Sequence, residues 1–321
     1  MMNKLIFFAK LSLDALRDTK KIIKYFNLLK KNSLLVIPKI FLIRFLYSFQ
    51  AIRNLHKISL KKNEEFKFNF IDNEFINLNE VVKDMDKDGY SKIFIIKKDI
   101  LEKIRELAFL SRNIDIKKNN FDKTQLIKKP NEDLDHYFKR IKLLDVSRFT
   151  STLNLKEDSI LKDFLLSEPI LSIAKSYLDT RDFSINATFF VSNPLKIDES
   201  EKYKNAQYFH WDNDFSKFFK LYIYLTDVDE NSGPHVYITG THKQKFPEHS
   251  LCRLYSDESI YNKYKIHKKF TGQAGSMFLV DSYGLHKGES PTEKSRLMLN
   301  VHYGRGKILY SADDIYIKNS T

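Results

Sequence analysis

The chain has 321 residues, enough to bury one full core and carry an accessory segment, and its 54 Lys and Arg against 41 Asp and Glu give a formal charge of +13. Its single cysteine, Cys252, excludes an internal disulfide and fits a reducing compartment, so a cytoplasmic location is expected.

Residues 1–62 contain fourteen Lys and Arg but only Asp14 and Asp18 as acids, so they hold +12 of that charge and the remaining 259 residues are nearly neutral. Within them, residues 34–49 (LLVIPKIFLIRFLYSF) are broken by Pro38, Lys39 and Arg44, too short and too charged for a comfortable membrane span. The apolar run at 5–9 ends at Lys10 with no cleavage site behind it, unlike a signal peptide. This basic segment is expected to be helical. One reading lays it on an anionic membrane surface, at about 1 kcal/mol for each nearby Lys or Arg. The other packs its apolar face on the rest of the chain and shows its lysines to water, the commoner fate of a charged face. No recognisable nucleic-acid module accompanies the charge, so nucleic acid is not an expected partner.

The charged run KKNEEFK at 61–67 marks a linker over 63–77, with the main domain expected over 78–321. Asp84, Asp86, Asp88 and Gly89 imitate the start of a calcium loop, but its twelfth position falls on Ile95, where a bidentate Glu is needed. Asp99 is predicted to cap a helix to about residue 111 with Leu101, Ile104, Leu107 and Ala108 as its apolar stripe. Residues 113–143 are polar, lysine-rich and poorly periodic, which predicts a long loop near the mouth of a site. A helical pattern over 160–178 is interrupted by Pro169, and FSINATFFVS at 183–192 reads as the first strand of a main sheet. Further strands are predicted at 206–209, 220–228, 235–239, 275–280 and 296–303, with a polar, tyrosine-rich insertion at 250–269. Helices followed by about eight strands predict a mainly β protein with flanking helices, its core a double-stranded β-helix of the jelly-roll type.

Chemistry concentrates on those strands. Positions i and i+2 of an extended strand share a face, so His210 and Asp212 can reach one ion while Trp211 turns away. His286, 74 residues after Asp212, is the candidate third ligand, and Arg296 follows ten residues later. Two imidazoles and a carboxylate on one face of an octahedron leave three positions open, as suits a non-haem Fe(II) centre that activates oxygen. A His-x-Asp pair alone proves little in a chain with nine histidines. Taken singly, these residues read as a buried histidine, a turn aspartate and a surface histidine. Arg296 offers a permanently charged planar fork for a carboxylate. If it points inward, so do Met298, Asn300 and His302, while Leu297, Leu299 and Val301 pack on the other face. A core role suits His302 better than a pocket role.

Residues 209–212, the run LTDVDENSGPHVYITGTHK at 225–243, and GSMFLVDSYGLHKG at 275–288 with Arg296 behind it resemble the phytanoyl-CoA dioxygenase-like branch of the iron(II)- and 2-oxoglutarate-dependent oxygenases. Asp88-Gly89-Tyr90, followed by the apolar run 93–96 and a helix, is similar to that family's usual opening, so the resemblance covers about three quarters of the chain. It implies a jelly-roll (cupin-like) core, iron held by His210, Asp212 and His286, 2-oxoglutarate held at its far carboxylate by Arg296, and O2 as the oxidant. Tyr222, eleven residues before Gly233, stands where relatives often set an aromatic residue against the cosubstrate, although packing explains it equally well. His242, with Gly240 and Thr241, reads as turn architecture. The implied reaction is hydroxylation of an unactivated C–H bond. Related halogenases replace the carboxylate with a small residue, so Asp212 disfavours halogenation. The expected substrate is a small or lipid-linked metabolite, such as a glycan, an acyl chain or a natural-product intermediate. Residues 1–62 could bring the enzyme to the inner face of a membrane. A jelly-roll protein that binds metal without turnover is the alternative.

Overall fold

The computed structural model describes residues 65–306 and 315–317, apart from 73–74, 111–113, 117–120, 154, 156–158, 197–201, 203–204, 206, 215–216, 247–248 and 250–253. The basic segment 1–62 and Cys252 lie outside the described residues. The first elements are a hairpin, β1 (Glu65–Lys67) and β2 (Phe75–Asn77). Phe68, Ile71 and Ile76 are buried in the main core, so from residue 65 onward the stretch expected as a linker packs into the body. The charge run at 61–67 masks those apolar side chains in the sequence.

Helix α1 (Leu78–Asp88) starts where the Asn77 side chain accepts the Glu80 N–H, and buries Leu78, Val81, Val82 and Met85. It ends at Gly89, whose φ of 91° suits glycine and whose missing side chain leaves room for the Tyr237 hydroxyl. A short β3 (Phe94–Ile95) leads to α2 (Lys98–Leu110), where Asp99 occupies the first turn rather than capping it. Leu101 and Ile104 of the expected stripe are buried, and Leu107 and Ala108 pack at its edge.

The region expected to be a long loop is folded. It contains β4 (Ile114–Ile116), a single 3-10 turn at Lys123–Leu126, and α3 (Leu134–Lys142), which the Asp133 side chain caps. Arg140 explains the order: its guanidinium bonds the Glu132 carboxylate and the carbonyls of Gln125 and Ile127. Tyr137 adds a hydroxyl donated to the Leu126 carbonyl at 3.0 Å. Such anchors have no period, so hydrophobic patterning cannot register them.

After β5 (Arg148–Thr152), the interrupted helical pattern resolves into α4 (Ser159–Leu165) and α5 (Glu168–Leu178), with Pro169 in the first turn of α5, where its missing N–H costs nothing. Strand β6 (Phe183–Ser192) has the predicted bounds, but β3, β4 and β5 precede it in the same sheet. The chain continues through β7 (Phe209–His210), β8 (Phe218–Tyr224), β9 (His235–Ile238), β10 (Leu254–Tyr255), α6 (Asp257–Lys263), β11 (His267–Phe270), β12 (Ser276–Val280), β13 (His286–Gly288), β14 (Arg296–Arg305) and β15 (Ile315–Ile317). The tyrosine-rich insertion thus supplies both edge strands of a sheet and the helix between them.

Two antiparallel sheets result. The larger runs β3-β12-β8-β14-β6-β5-β4, with β15 on the free part of the β6 edge; the smaller runs β10-β7-β13-β9-β11. They face each other as a double-stranded β-helix, and strand β14 shows why. Its Leu297, Leu299, Val301 and Tyr303 join the core shared with α1, α4 and α5, while Met298 joins Tyr222, Tyr224, Phe278 and Val280 on the inner face. Across the gap, Phe270 of the smaller sheet stacks on Phe278 of the larger at 4.1 Å between ring centroids. That contact ties the two sheets together across the gap.

Arg140 holds the Glu132 carboxyl down at about 2, chiefly through the hydrogen bond between them. Because this folded value lies below the unfolded one, the pair's contribution is complete above about pH 4.5 and is lost as pH falls towards 2. Replacing Arg140→Met should cost about 1–2 kcal/mol at pH 7, the exposed part of the pair being screened by solvent. In urea titrations, the gap between wild type and variant should narrow between pH 4.5 and 2; a gap constant across that window would refute the pair as its source.

Candidate metal centre

The smaller sheet builds the centre from two adjacent inner strands. His210 ends β7 and His286 opens β13, and the antiparallel register sets them directly opposite each other. Their rings lie 4.3 Å apart between centroids. Asp212 lies two residues after His210, just past the end of β7, fixed by its N–H to the Ser282 carbonyl at 2.8 Å. Trp211 turns away, as expected, and packs on Tyr283 at 5.4 Å. One ligand atom from each of His210, Asp212 and His286 lies within 4.8 Å of the others, and all three residues are buried.

The orientation of the imidazoles is fixed from behind. His210 Nδ1 donates to the Tyr208 carbonyl and His286 Nδ1 to the Gly284 carbonyl, each at 2.9 Å and each two residues upstream. With the proton committed to Nδ1, each Nε2 keeps a lone pair facing the centre. Asp212 Oδ2 stands 3.5 Å from His286 Nε2, and Oδ1 stands 4.0 Å from His210 Nε2. Two neutral nitrogens and a carboxylate suit a first-row divalent cation.

The centre opens into a cavity of about 180 Å³ between the sheets, and Arg296 and Tyr222 both line it. Arg296 is buried. Its Nη2 reaches the Ser192 hydroxyl only at 3.5 Å, and Nε and Nη1 have no partner among the described residues. A Cβ on Gly288, three residues into β13, would stand 3.2 Å from Arg296 Nη2, so the glycine keeps space for the guanidinium. A buried fork with unpaired donors implies an acceptor from outside the chain. Burial raises the Tyr222 phenol, which therefore stays protonated and able to donate. Met298 and Asn300 face the cavity with Arg296. His302 instead sits beside Phe218 at 5.3 Å, and burial pushes it down to about 4, as befits a core histidine. His242 takes its expected place in the turn, bonded through Nε2 to the Asp86 carbonyl at 2.8 Å.

Three charged or titratable neighbours were not anticipated. Lys220 donates to Asp212 Oδ2 at 2.6 Å; burial would lower its ammonium, but the Asp212 charge outweighs this and holds it above its ordinary value. His235 lines the cavity with Nε2 unpaired among the described residues, and burial followed by the charges around it pushes it far down, so it is neutral. Arg148 enters the same cavity from β5. Lys220 carries a signal in hindsight, since it shares the strand face of Tyr222. Nothing local marks Arg148.

The family model described as phytanoyl-CoA dioxygenase (PhyH) matches residues 117–298. No curated protein matches the sequence. Among solved structures, the chain is similar to the non-heme alpha ketoglutarate dependent epimerase SnoN from nogalamycin biosynthesis, at 12% identity and TM-score 0.47 over 71% of this chain and 80% of that one. It is similar to HygX from Streptomyces hygroscopicus, with nickel and 2-oxoglutarate bound, at 12% identity and TM-score 0.46 over 70% and 86%. EctD from S. alaskensis aligns at 14% identity and TM-score 0.47 over 70% and 75%.

The Lys220 ammonium answers a carboxylate that a cation would also claim. Lys220→Met should therefore destabilise the metal-free protein by about 3 kcal/mol, because Asp212 is left buried without its counter-charge. Co(II) should then raise the melting temperature of the variant by more than that of the wild type. Equal shifts would show that the two cations do not share Asp212.

Proposed function

Because the chain belongs to the phytanoyl-CoA dioxygenase family, a family of iron(II)- and 2-oxoglutarate-dependent oxygenases, we propose that it hydroxylates an unactivated C–H bond of a small or lipid-linked metabolite. In this reading His210, Asp212 and His286 hold the iron, and Arg296 holds 2-oxoglutarate. The observation that carries it is the buried Arg296 fork with two unpaired nitrogens in the same cavity as the three ligands. A metal-binding protein without turnover would have no use for that fork.

Bound together, iron and 2-oxoglutarate supply the means to oxidise a C–H bond with O2: one oxygen atom ends in the substrate hydroxyl and the other in succinate, as CO2 leaves. The chain's own part is orientation. His210 and His286 present Nε2 because their Nδ1 protons are tied to backbone carbonyls. Arg296 can give two parallel N–H bonds to the far carboxylate, which sets the cosubstrate's length along the cavity. Tyr222 can add its hydroxyl beside that carboxylate. Asp212 fills the third ligand position, which favours hydroxylation over halide transfer. Phe190 and Met298 give the cavity apolar walls that limit the water near the reacting carbon.

The catalytic unit in this reading is 78–321, buttressed by the hairpin at its front. No helix among the described residues is long and apolar enough to cross a membrane. A lipid-linked substrate would therefore be met through peripheral contact, for which the charge of residues 1–62 is the support.

Anaerobic addition of Fe(II) and 2-oxoglutarate should give a metal-to-ligand charge-transfer band in the wild type and none in Asp212→Ala. A wild type without the band, and without succinate release under O2, would remove the oxygenase reading. Arg296→Ala should keep the band but need roughly thirtyfold more 2-oxoglutarate, about 2 kcal/mol of lost binding. An unchanged affinity would take that role from Arg296.

A further inference from the structure

The cavity holds more positive charge than the proposed chemistry uses. Of its lining side chains among the described residues, Arg148, Lys220 and Arg296 are cationic, and Asp212 is the one carboxylate. A divalent iron, Asp212, Arg296 and the 2-oxoglutarate dianion sum to zero. Lys220 and Arg148 remain. Lys220 at least touches an anion, since it lies 2.6 Å from Asp212 Oδ2. Arg148 touches none among the described residues. Its Nη1 donates to the Asn205 carbonyl and its guanidinium lies 4.6 Å above the Phe190 ring, so Nε and Nη2 are open to a ligand in the cavity.

The sheet register separates this arginine from the cosubstrate fork. Ser192 on β6 pairs with Arg148 on one side and with Arg296 on the other, so the two guanidinium groups arise from strands on either side of β6. Arg296 already offers the unpaired Nη1 beside Nη2, whose only bond is the long 3.5 Å contact to Ser192, and that edge of the fork suffices for both oxygens of one carboxylate. Arg148 is anchored instead to Asn205, on the segment that leads into β7 and the His210 ligand. Burial, with the Arg296 charge behind it, pushes the Arg148 guanidinium down to about 10; it stays charged at neutral pH, at a cost that a nearby anion would offset.

Resting on the iron and 2-oxoglutarate reading above, we infer that the substrate carries an oxyanion group, a carboxylate or a phosphate, which pairs with Arg148 and thereby sets which carbon faces the metal. Arg148 is then a substrate-positioning and specificity-determining residue.

Protein loaded with Co(II) and 2-oxoglutarate without O2, its loading read from the Co(II) d–d band, can be titrated calorimetrically with phenyl phosphate, benzoate and neutral benzamide. At least one of the two anions should bind the wild type ten or more times tighter than benzamide, without moving the d–d band, and which anion does so separates phosphate from carboxylate recognition. Arg148→Met should lose that preference and Arg148→Lys should keep part of it, while 2-oxoglutarate affinity changes less than threefold in both. Anions that bind no tighter than benzamide, or only by altering the d–d band, overturn the inference. So does a preference that survives Arg148→Met. A tenfold loss of 2-oxoglutarate affinity in Arg148→Met also overturns it, by making Arg148 a second clamp on the cosubstrate. Failure to load Co(II) and 2-oxoglutarate at all would instead strike the underlying reading, and the d–d band distinguishes the two failures.

Discussion

The pairing of β13 between β7 and β9 is the constraint on which the centre depends. His286 is opposite His210 on one side and opposite Tyr237 on the other, so a slip of one residue would turn the imidazole to the far face of the sheet. The register is pinned from both directions. The Ile238 N–H bonds the Leu285 carbonyl, and the Leu285 N–H bonds the Thr241 hydroxyl at 2.8 Å, which itself donates to the Ile238 carbonyl. The Gly-Thr-His turn thus locks the strand that carries His286, the candidate distal ligand. Tyr237 extends the same network by donating to the Asp281 carbonyl at 2.9 Å, across a gap that Gly89 and Gly284 keep clear.

Electrostatics gives the site its second character. Taking several charged groups from water into one cavity is unfavourable unless each meets a partner. Lys220 and Asp212 satisfy each other, whereas Arg296 keeps two donors that nothing in the described chain accepts and Arg148 meets a backbone carbonyl rather than an anion. Both arginines lie on the larger sheet and the ligands on the smaller, so the two sheets bring complementary equipment to the gap. One presents two imidazoles and Asp212 at its end; the other presents the cations Lys220, Arg148 and Arg296.

Legibility differed sharply between kinds of feature. Strand β6 was readable to the residue because FSINATFFVS alternates β-branched, aromatic and small residues between clear boundaries. Pro169 likewise located the break between α4 and α5. The region 113–143 was misread as loop because Arg140, Glu132 and Tyr137 order it through polar bonds that no hydrophobic period reports. The tyrosine-rich insertion was misread because its strands are too short to show a period: β10 has two residues, and of the four in β11 only Phe270 is buried.

By itself the sequence determined the chemistry that resides in residue type and short spacing. His210 and Asp212 share a face because extended backbone has a period of two, and the ordered motifs from 209 to Arg296 carry the family. The tertiary structure alone decided what meets across strands: His286 opposite His210, Lys220 on Asp212, and Arg148 brought through Ser192 into the cavity of Arg296. Those contacts join residues that register and sheet order make neighbours, and neither quantity is encoded locally along the chain.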